Sequence, residues 1–260
     1  MDLALKGKYA LVTGGSRGIG RGIALALAAE GCNVAICART KERVEQTAAE
    51  LKANGIKSIG IVADVLVKED IDRVMKAIID SWGTINILVN NVGGSGGSAK
   101  TAPEETPEDV WLDIYNKNAM AAIRFTMKAI PFMKKQEWGR VVTISSLQGR
   151  EGGGRPWYNM AKSAEISLMK TLAMNREYSS HGITFNSVAP GAIIFDGNEW
   201  DIFRKENPAA FQQRLEAKNP SGRLGAPEEV ASVVAFLCSE KASLVNGACI
   251  PVDGAEGKSF

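Results

Sequence analysis

Residues 9–20 read Tyr9-Ala10-Leu11-Val12-Thr13-Gly14-Gly15-Ser16-Arg17-Gly18-Ile19-Gly20. A short apolar run, 9–13, ends in a glycine cluster, and an Ala- and Leu-rich stretch, 19–30, follows at once. The pattern predicts a buried strand, a tight turn and a helix that Gly31 stops. The N-terminus of such a helix offers unpaired N–H groups and the positive end of its dipole, which suits a pyrophosphate. Glycines in the turn let backbone approach phosphate with no Cβ in between. A glycine triplet alone fits a plain turn equally well. Its place after the first strand of a βαβ unit favours the ligand-binding reading.

Outward from this stretch the rhythm repeats. Strands are predicted at 33–37, 58–62 and 86–90, with helices at 41–53 and 68–81 between them. Beyond them come a long helical stretch, 107–134, with a break near 116–118, a strand at 140–145, a helix at 158–178 and a strand at 183–188. A helix at 227–239 opens on Pro227 with Glu228 and Glu229 behind it, and 248–252 is a last strand. The strands are continuous apolar runs, as expected of strands buried on both faces. The fold class is therefore α/β: one doubly wound Rossmann-type domain over 1–260, with a seven-stranded parallel sheet and helices on both faces. Residues 192–224 are longer than an ordinary connection and carry Phe195, Trp200, Phe203 and Phe211, so they are expected to form a substrate lid.

Composition removes several function classes. With 45% hydrophobic and 23% charged residues, the chain has the make-up of an ordinary folded protein. A net charge of +2 and the lack of a basic stripe give no reason to expect nucleic acid as a partner. The single histidine, His181, rules out a multi-histidine metal site and reads as a loop residue before a strand. Cys32, Cys37, Cys238 and Cys249 form no CxxC pair and read as reduced core thiols, so no metal is expected. No secretory leader, membrane span or peroxisomal address is legible, and the expectation is a cytoplasmic protein with no membrane partner.

The end of the second strand bears on the nucleotide. An acidic residue there would bind a ribose 2′-hydroxyl, but the sequence reads Cys37-Ala38-Arg39-Thr40. Arg39 and Arg17 can instead clamp a 2′-phosphate, which favours NADP(H) over NAD(H). Asp64, after the third strand, is placed for the adenine rim, and Asn90-Asn91-Val92-Gly93 follows the fourth strand toward the adenine ribose. Tyr158-x3-Lys162 puts a phenol and an ammonium on one helix face. A cation there stabilises the phenolate and lets the tyrosine exchange a proton with a carbonyl or alcohol oxygen. Ser145 and Ser146 are candidates for a hydroxyl that binds the same oxygen. Glycines gather in four loops, 14–20, 93–97, 149–154 and 191, where strands end and ligands bind in this architecture.

With these motifs the chain resembles the short-chain dehydrogenase/reductase family, in its branch of about 250 residues. The matching elements are Thr13-Gly14-x3-Gly18-x-Gly20, Asn90-Asn91-x-Gly93, Ser146, Tyr158-x3-Lys162 and Pro190-Gly191. The resemblance implies a catalytic set of Asn118, Ser146, Tyr158 and Lys162, with Ser146 preferred because Ser146-Leu147-Gln148-Gly149 fits the family's Ser-x2-Gly. Asn118 would anchor a water linked to Lys162, and Tyr158 would supply the proton as hydride moves to the carbonyl carbon. Ser16, Ile19, Val65 and Ile193 join Gly14, Gly20, Asn91, Gly93 and the arginines as implied cofactor contacts, while Gln148 and Trp200 join Ser146 and Tyr158 on the substrate side.

The implied partner is a small carbonyl or alcohol compound, and the implied assembly is a homotetramer or homodimer, with Met160, Ile166 and Met169 on a candidate dimerising face. Alternatives are a non-catalytic NADP(H) sensor and an isomerase or lyase on the same scaffold. Three positions depart from the family: Val92 for the usual Ala, a loop before Tyr158 one residue shorter than commonest, and Phe195 where a Thr often contacts the cofactor.

Overall fold

A computed structural model describes residues 2–96 and 102–259; Gly97, counted above in the loop that begins at Gly93, lies outside them. Seven strands form one sheet: β1 (Tyr9–Thr13), β2 (Asn33–Ala38), β3 (Ser58–Val62), β4 (Ile87–Asn90), β5 (Gly139–Ile144), β6 (Ile183–Pro190) and β7 (Cys249–Val252). Their order is β3-β2-β1-β4-β5-β6-β7, and every described pairing is parallel. The order reverses between β1 and β4, and ligands bind beyond the carboxyl ends of strands at such a point.

The helices are α1 (Gly18–Ala29), α2 (Lys41–Ala53), α3 (Lys68–Trp82), α4 (Glu108–Tyr115), α5 (Ala121–Lys135), α6 (Pro156–Met174), α7 (Arg176–Ser179), α8 (Glu199–Glu206), α9 (Pro208–Lys218) and α10 (Pro227–Leu237). Strand side chains alternate between two cores. Ala10, Val12, Val34, Ile36, Ile87 and Val89 pack with Ile23, Leu27, Val230 and Val234 on the side of α1 and α10. Leu11, Ala35, Leu88, Val141 and Phe185 pack with Val74, Ile78, Phe125 and Met133 on the side of α3 and α5. This two-sided burial explains why the strands lack polar alternation.

Three details differ from the sequence reading. The stretch near 116–118 does not break; a π-helical turn, Asn116–Met120, joins α4 to α5. The predicted helix 158–178 starts two residues earlier, because Pro156 fits the first helical position, and Asn175 separates α6 from α7. The 192–224 stretch is largely helical, as α8 and α9. Cys32, Cys37 and Cys238 are buried as free thiols. His181 Nδ1 donates to the Glu177 carbonyl, 2.9 Å away, and the residue sits before the amino end of β6, on the opposite edge of the sheet from Pro190. Among the described residues no helix is long and apolar enough to cross a membrane.

Candidate active site

Two clefts open side by side above the carboxyl ends of the strands. The first, about 530 Å³, is lined by Gly14, Ser16, Arg17, Gly20, Arg39, Asp64 and Val65. The second, about 640 Å³, is lined by Ser146, Gln148, Tyr158, Lys162, Pro190, Gly191 and Trp200. Ile19, Asn91, Gly93 and Phe195 line both. Two of the candidate residues stand apart: Gly18 faces an adjoining hollow, and Asn118 is wholly buried behind the loop that follows β4.

The glycine turn is built for close approach. Gly14 has φ +64°, and a Cβ there would lie 2.9 Å from the Asn91 amide nitrogen. A Cβ on Gly20 would collide with the Gly14 carbonyl and the same amide. Asn91 holds the turn in place: its Nδ2 donates to Thr13 O at 2.9 Å and Gly14 O at 3.3 Å. Thr13 Oγ1 accepts in return from the backbone N–H groups of Asn91 and Val92, at 2.9 and 3.1 Å. The neighbouring Asn90 faces inward, donating to Thr126 Oγ1 and Thr143 Oγ1 at 3.0 and 3.3 Å. The pair Asn90-Asn91 therefore divides its work between the core and the cleft. Arg17, Arg39 and Arg43 are exposed along the wall beside the end of β2, a concentration of positive charge that fits an additional phosphate. Sequence reasoning missed Arg43, although it lies in the first turn of α2, four residues after Arg39.

In the second cleft α6 presents Tyr158 and Lys162 on one face, with Lys162 Nζ 5.7 Å from the phenol ring centroid. Lys162 is 2% exposed. Its Nζ donates to Ile144 O at 2.9 Å and to both carboxylate oxygens of Glu165, at 3.0 and 3.2 Å. Burial works against the Lys162 charge, but attraction to Glu165 and Tyr158 and the Glu165 hydrogen bond outweigh it and raise its pKa. For Glu165, burial prevails over Lys162, and its pKa is raised as well. The two serines separate by geometry. Ser145 Oγ donates to Lys162 O at 2.8 Å, tying β5 to α6. Ser146 Oγ accepts only a local bond, from Gln148 N at 3.1 Å. Asn118 grips the loop after β4: its Nδ2 donates to Gly94 O and Ile114 O at 3.1 and 2.7 Å, and its Oδ1 accepts from Gly94 N at 3.2 Å.

The sequence profile of the family described as Enoyl-(Acyl carrier protein) reductase matches residues 14–255. The chain belongs to the short-chain dehydrogenase/reductase family. It is 38% identical to a 3-oxoacyl-[acyl-carrier-protein] reductase of Pseudomonas aeruginosa, covering 97% of this chain and 98% of that protein. It is 37% identical to a protein of the same description from Aquifex aeolicus, over 98% and 99% of the two chains. Among solved structures, L-sorbose reductase from Gluconobacter frateurii, in complex with NADPH and L-sorbose, superposes with a TM-score of 0.91, 31% identity and full coverage of both chains.

Phe195, one of the three departures from the short-chain dehydrogenase/reductase pattern, lies on the glycine turn. A Cβ on Gly18 would come within 2.5 Å of its ring, and the Arg17 guanidinium is 5.3 Å from the ring centroid. Beyond it the 192–224 segment is tied down by charge. Asp201, 2% exposed, accepts from Gly197 N at 3.0 Å, Arg204 at 2.7 Å and Lys205 at 2.6 Å. The Lys205 bond, with Gly197 N–H and Arg204 behind it, holds the Asp201 carboxyl down to about 2. Arg214 of α9 stacks over Trp200 of α8 at 4.3 Å and pairs with Glu256 at 2.8 Å. Glu256 also accepts from Ala192 N at 2.7 Å. Arg155, Arg214 and Glu256 line the second cleft, and only packing of three distant segments brings them there.

Proposed function

We propose that this chain is an NADP(H)-dependent oxidoreductase that interconverts a small carbonyl compound and its secondary alcohol, with Tyr158 as proton donor and acceptor. The observation that carries the reading is the junction of the two clefts. The glycine turn and three arginines line one, and Ser146, Tyr158 and Lys162 line the other. A solved neighbour of 31% identity that holds NADPH supports the choice of cofactor. The residues fit such a group: glycines stand where a Cβ would intrude, and no carboxylate ends β2.

NADPH, when bound, supplies hydride from the nicotinamide C4. Ser146 Oγ and Tyr158 Oη donate to the substrate carbonyl oxygen, which orients the carbonyl and stabilises charge gathering on that oxygen. Tyr158 passes its proton to this oxygen, and the Lys162 ammonium stabilises the phenolate left behind. The phenol is reprotonated through Lys162 and a water anchored near Asn118. Segment 192–224 acts as the lid, with Trp200 closing the cleft over the substrate.

The lid side carries Gln148, Arg155, Arg214 and Glu256 beside Trp200, which suits a compact polar ketone. The L-sorbose bound by the solved neighbour is such a compound. The second reading, a 3-oxoacyl thioester of acyl carrier protein, is favoured by the relatives of 37–38% identity. Assembly as a homodimer or homotetramer is supported by Leu112, Met127 and Met160, large apolar side chains that are exposed on α4, α5 and α6. Met169, expected on that face, is buried in the core instead, and Ile166 is half-buried. The reduced thiols fit a cytoplasmic protein.

The test is NADPH absorbance with a panel that includes L-sorbose, other ketoses and a 3-oxoacyl thioester. Turnover is expected with NADPH, and Tyr158→Phe should lower it by about 100-fold or more. A Tyr158→Phe variant with wild-type turnover would remove the assignment.

A further inference from the structure

We propose that Glu165 is a positioning residue of this site: its carboxylate fixes Lys162 Nζ and sets how much positive charge Lys162 presents to Tyr158. The inference rests on the reading of Tyr158 and Lys162 as the proton-handling pair and adds a third member to it.

The geometry is that of a buried chain of ionisable groups along one helix. Glu165 stands three residues after Lys162 on α6, and the two side chains are 2% and 3% exposed. Both carboxylate oxygens lie within hydrogen-bond distance of Nζ. The Ile144 carbonyl takes a further Nζ donor, so lysine is held from β5 as well as from its own helix. Tyr158 stands one turn before Lys162, its ring centroid 5.7 Å from Nζ. A Cβ on Gly93 would come within 2.9 Å of Nζ and 2.5 Å of Asn118 Oδ1, so the loop after β4 closes the remaining side.

Of the charged residues that share the cleft, Arg155 donates to Ser95, Arg214 pairs with Glu256, and Glu199 opens α8. On α4, Glu108 and Asp109 are exposed, and Asp113 pairs at 2.9 Å with Lys117 of the π turn. Tyr115, also on α4, is half-buried beside Trp157. Arg140 of β5 points to Glu240 and Ser239, at the far end of the sheet. Strand β6 and the turn 147–149 carry no ionisable side chain. Arg176, Glu177 and Tyr178 follow the far end of α6. The charge nearest Lys162 is thus Glu165, and its removal is felt chiefly at Lys162 and Tyr158.

The electrostatic consequence has a definite sign. With Glu165 ionised, the Lys162–Glu165 pair is neutral as a unit and stabilises a Tyr158 phenolate weakly. With Glu165 protonated or replaced by an amide, the ammonium acts without compensation and Tyr158 gives up its proton at lower pH. Burial drives the Glu165 carboxyl toward its protonated form, while Lys162 favours the charged one. Glu165 therefore links the protonation of the buried pair to the readiness of Tyr158.

Two measurements test this. Tyrosinate absorbance of the free protein, titrated with pH and corrected by the Tyr158→Phe form of each variant, reports Tyr158 directly. The acid limb of the pH–rate profile for alcohol oxidation, where Tyr158 must accept the proton, reports it during turnover. Glu165→Gln keeps shape and one acceptor but removes the charge, and both midpoints should move to lower pH by about one unit. Glu165→Asp withdraws the charge by one methylene and should give a smaller shift in the same direction. A folded Glu165→Gln protein with both midpoints at the wild-type pH overturns the proposal. Should Glu165→Gln not fold, an unshifted Glu165→Asp protein overturns it instead. The titration needs no turnover, so it still decides if no substrate is reduced. Turnover with unshifted midpoints sinks this inference and leaves the functional reading standing.

Discussion

The Phe195 ring lies directly over Gly18, so that a Cβ on the glycine would sit 2.5 Å from the ring carbon Cζ. Gly18 also has φ +52°, a conformation that costs an L side chain about 1–2 kcal/mol. Segment 192–224 and the turn at the start of α1 are thus packed on one another through a residue with no side chain. Gly18→Ala should weaken NADPH binding by about tenfold, by displacing Phe195 and straining the turn. Phe195→Ala should weaken it less, by removing only the packing. Fluorescence titration with NADPH checks both, and an unchanged Kd in Gly18→Ala would contradict the role of this contact.

Arg17, Arg39 and Arg43 share the wall beside the end of β2. A guanidinium paired with a phosphate contributes about 1.5–3 kcal/mol, because the hydrogen bonds are charge-assisted. Arg39→Ala should therefore raise KM for NADPH by about tenfold or more and leave KM for NADH nearly unchanged. The ratio of the two KM values is the measurement, and an equal change in both would argue against a 2′-phosphate clamp.

Ser145 and Ser146 are adjacent, yet the structure gives their hydroxyls different duties. Ser145 is 4% exposed and donates to Lys162 O, whereas Ser146 lines the cleft with only a local acceptor bond. Ser146→Ala should lower kcat by about 100-fold with little change in melting temperature. Ser145→Ala should reduce stability by about 1 kcal/mol and change kcat far less. Denaturant unfolding and steady-state kinetics on the two variants separate the roles.

Asp201 anchors the turn before α8 and both basic residues after it. Its carboxyl is held down from 3.8 to about 2 by the Lys205 bond, the Gly197 N–H and Arg204. A lowered folded-state value means that the stabilisation is complete above about pH 4 and is lost as pH falls through about 2. Asp201→Asn should melt at lower temperature by a constant margin from pH 5 to 8, and the margin should shrink in acid. A margin that grew in acid would show that the charge is not what holds the segment. Looser anchoring should also raise KM for the carbonyl substrate more than it lowers kcat.

Most of the sheet was legible because local and long-range preferences agree. Ala10–Val12 is apolar throughout since it is buried on both faces, and Gly31 at φ +80° ends the chain's first helix cleanly. The 116–118 stretch misled because a π turn keeps helical dihedrals and has no composition of its own. The Tyr158–Lys162 pair was legible as neighbours on a helix face. That Ser145 turns inward while Ser146 faces the cleft was not, because it depends on where α6 lies against β5.

The division follows from the range of the forces involved. Strand and helix periodicity, turn glycines, and pairs one helical turn apart are local, and the order of residues 9–20, 37–40 and 158–162 was enough to settle the family's fold and point to the cleft. Contacts between segments far apart in the chain depend on how the sheet stacks its connections. Packing alone laid Phe195 on Gly18, carried Arg214 and Glu256 to the second cleft, and buried Lys162 and Glu165. Burial then made that last pair matter, since a carboxylate three residues from a lysine on an exposed helix face would be an ordinary solvated pair worth a few tenths of a kcal/mol, about 0.3–0.5.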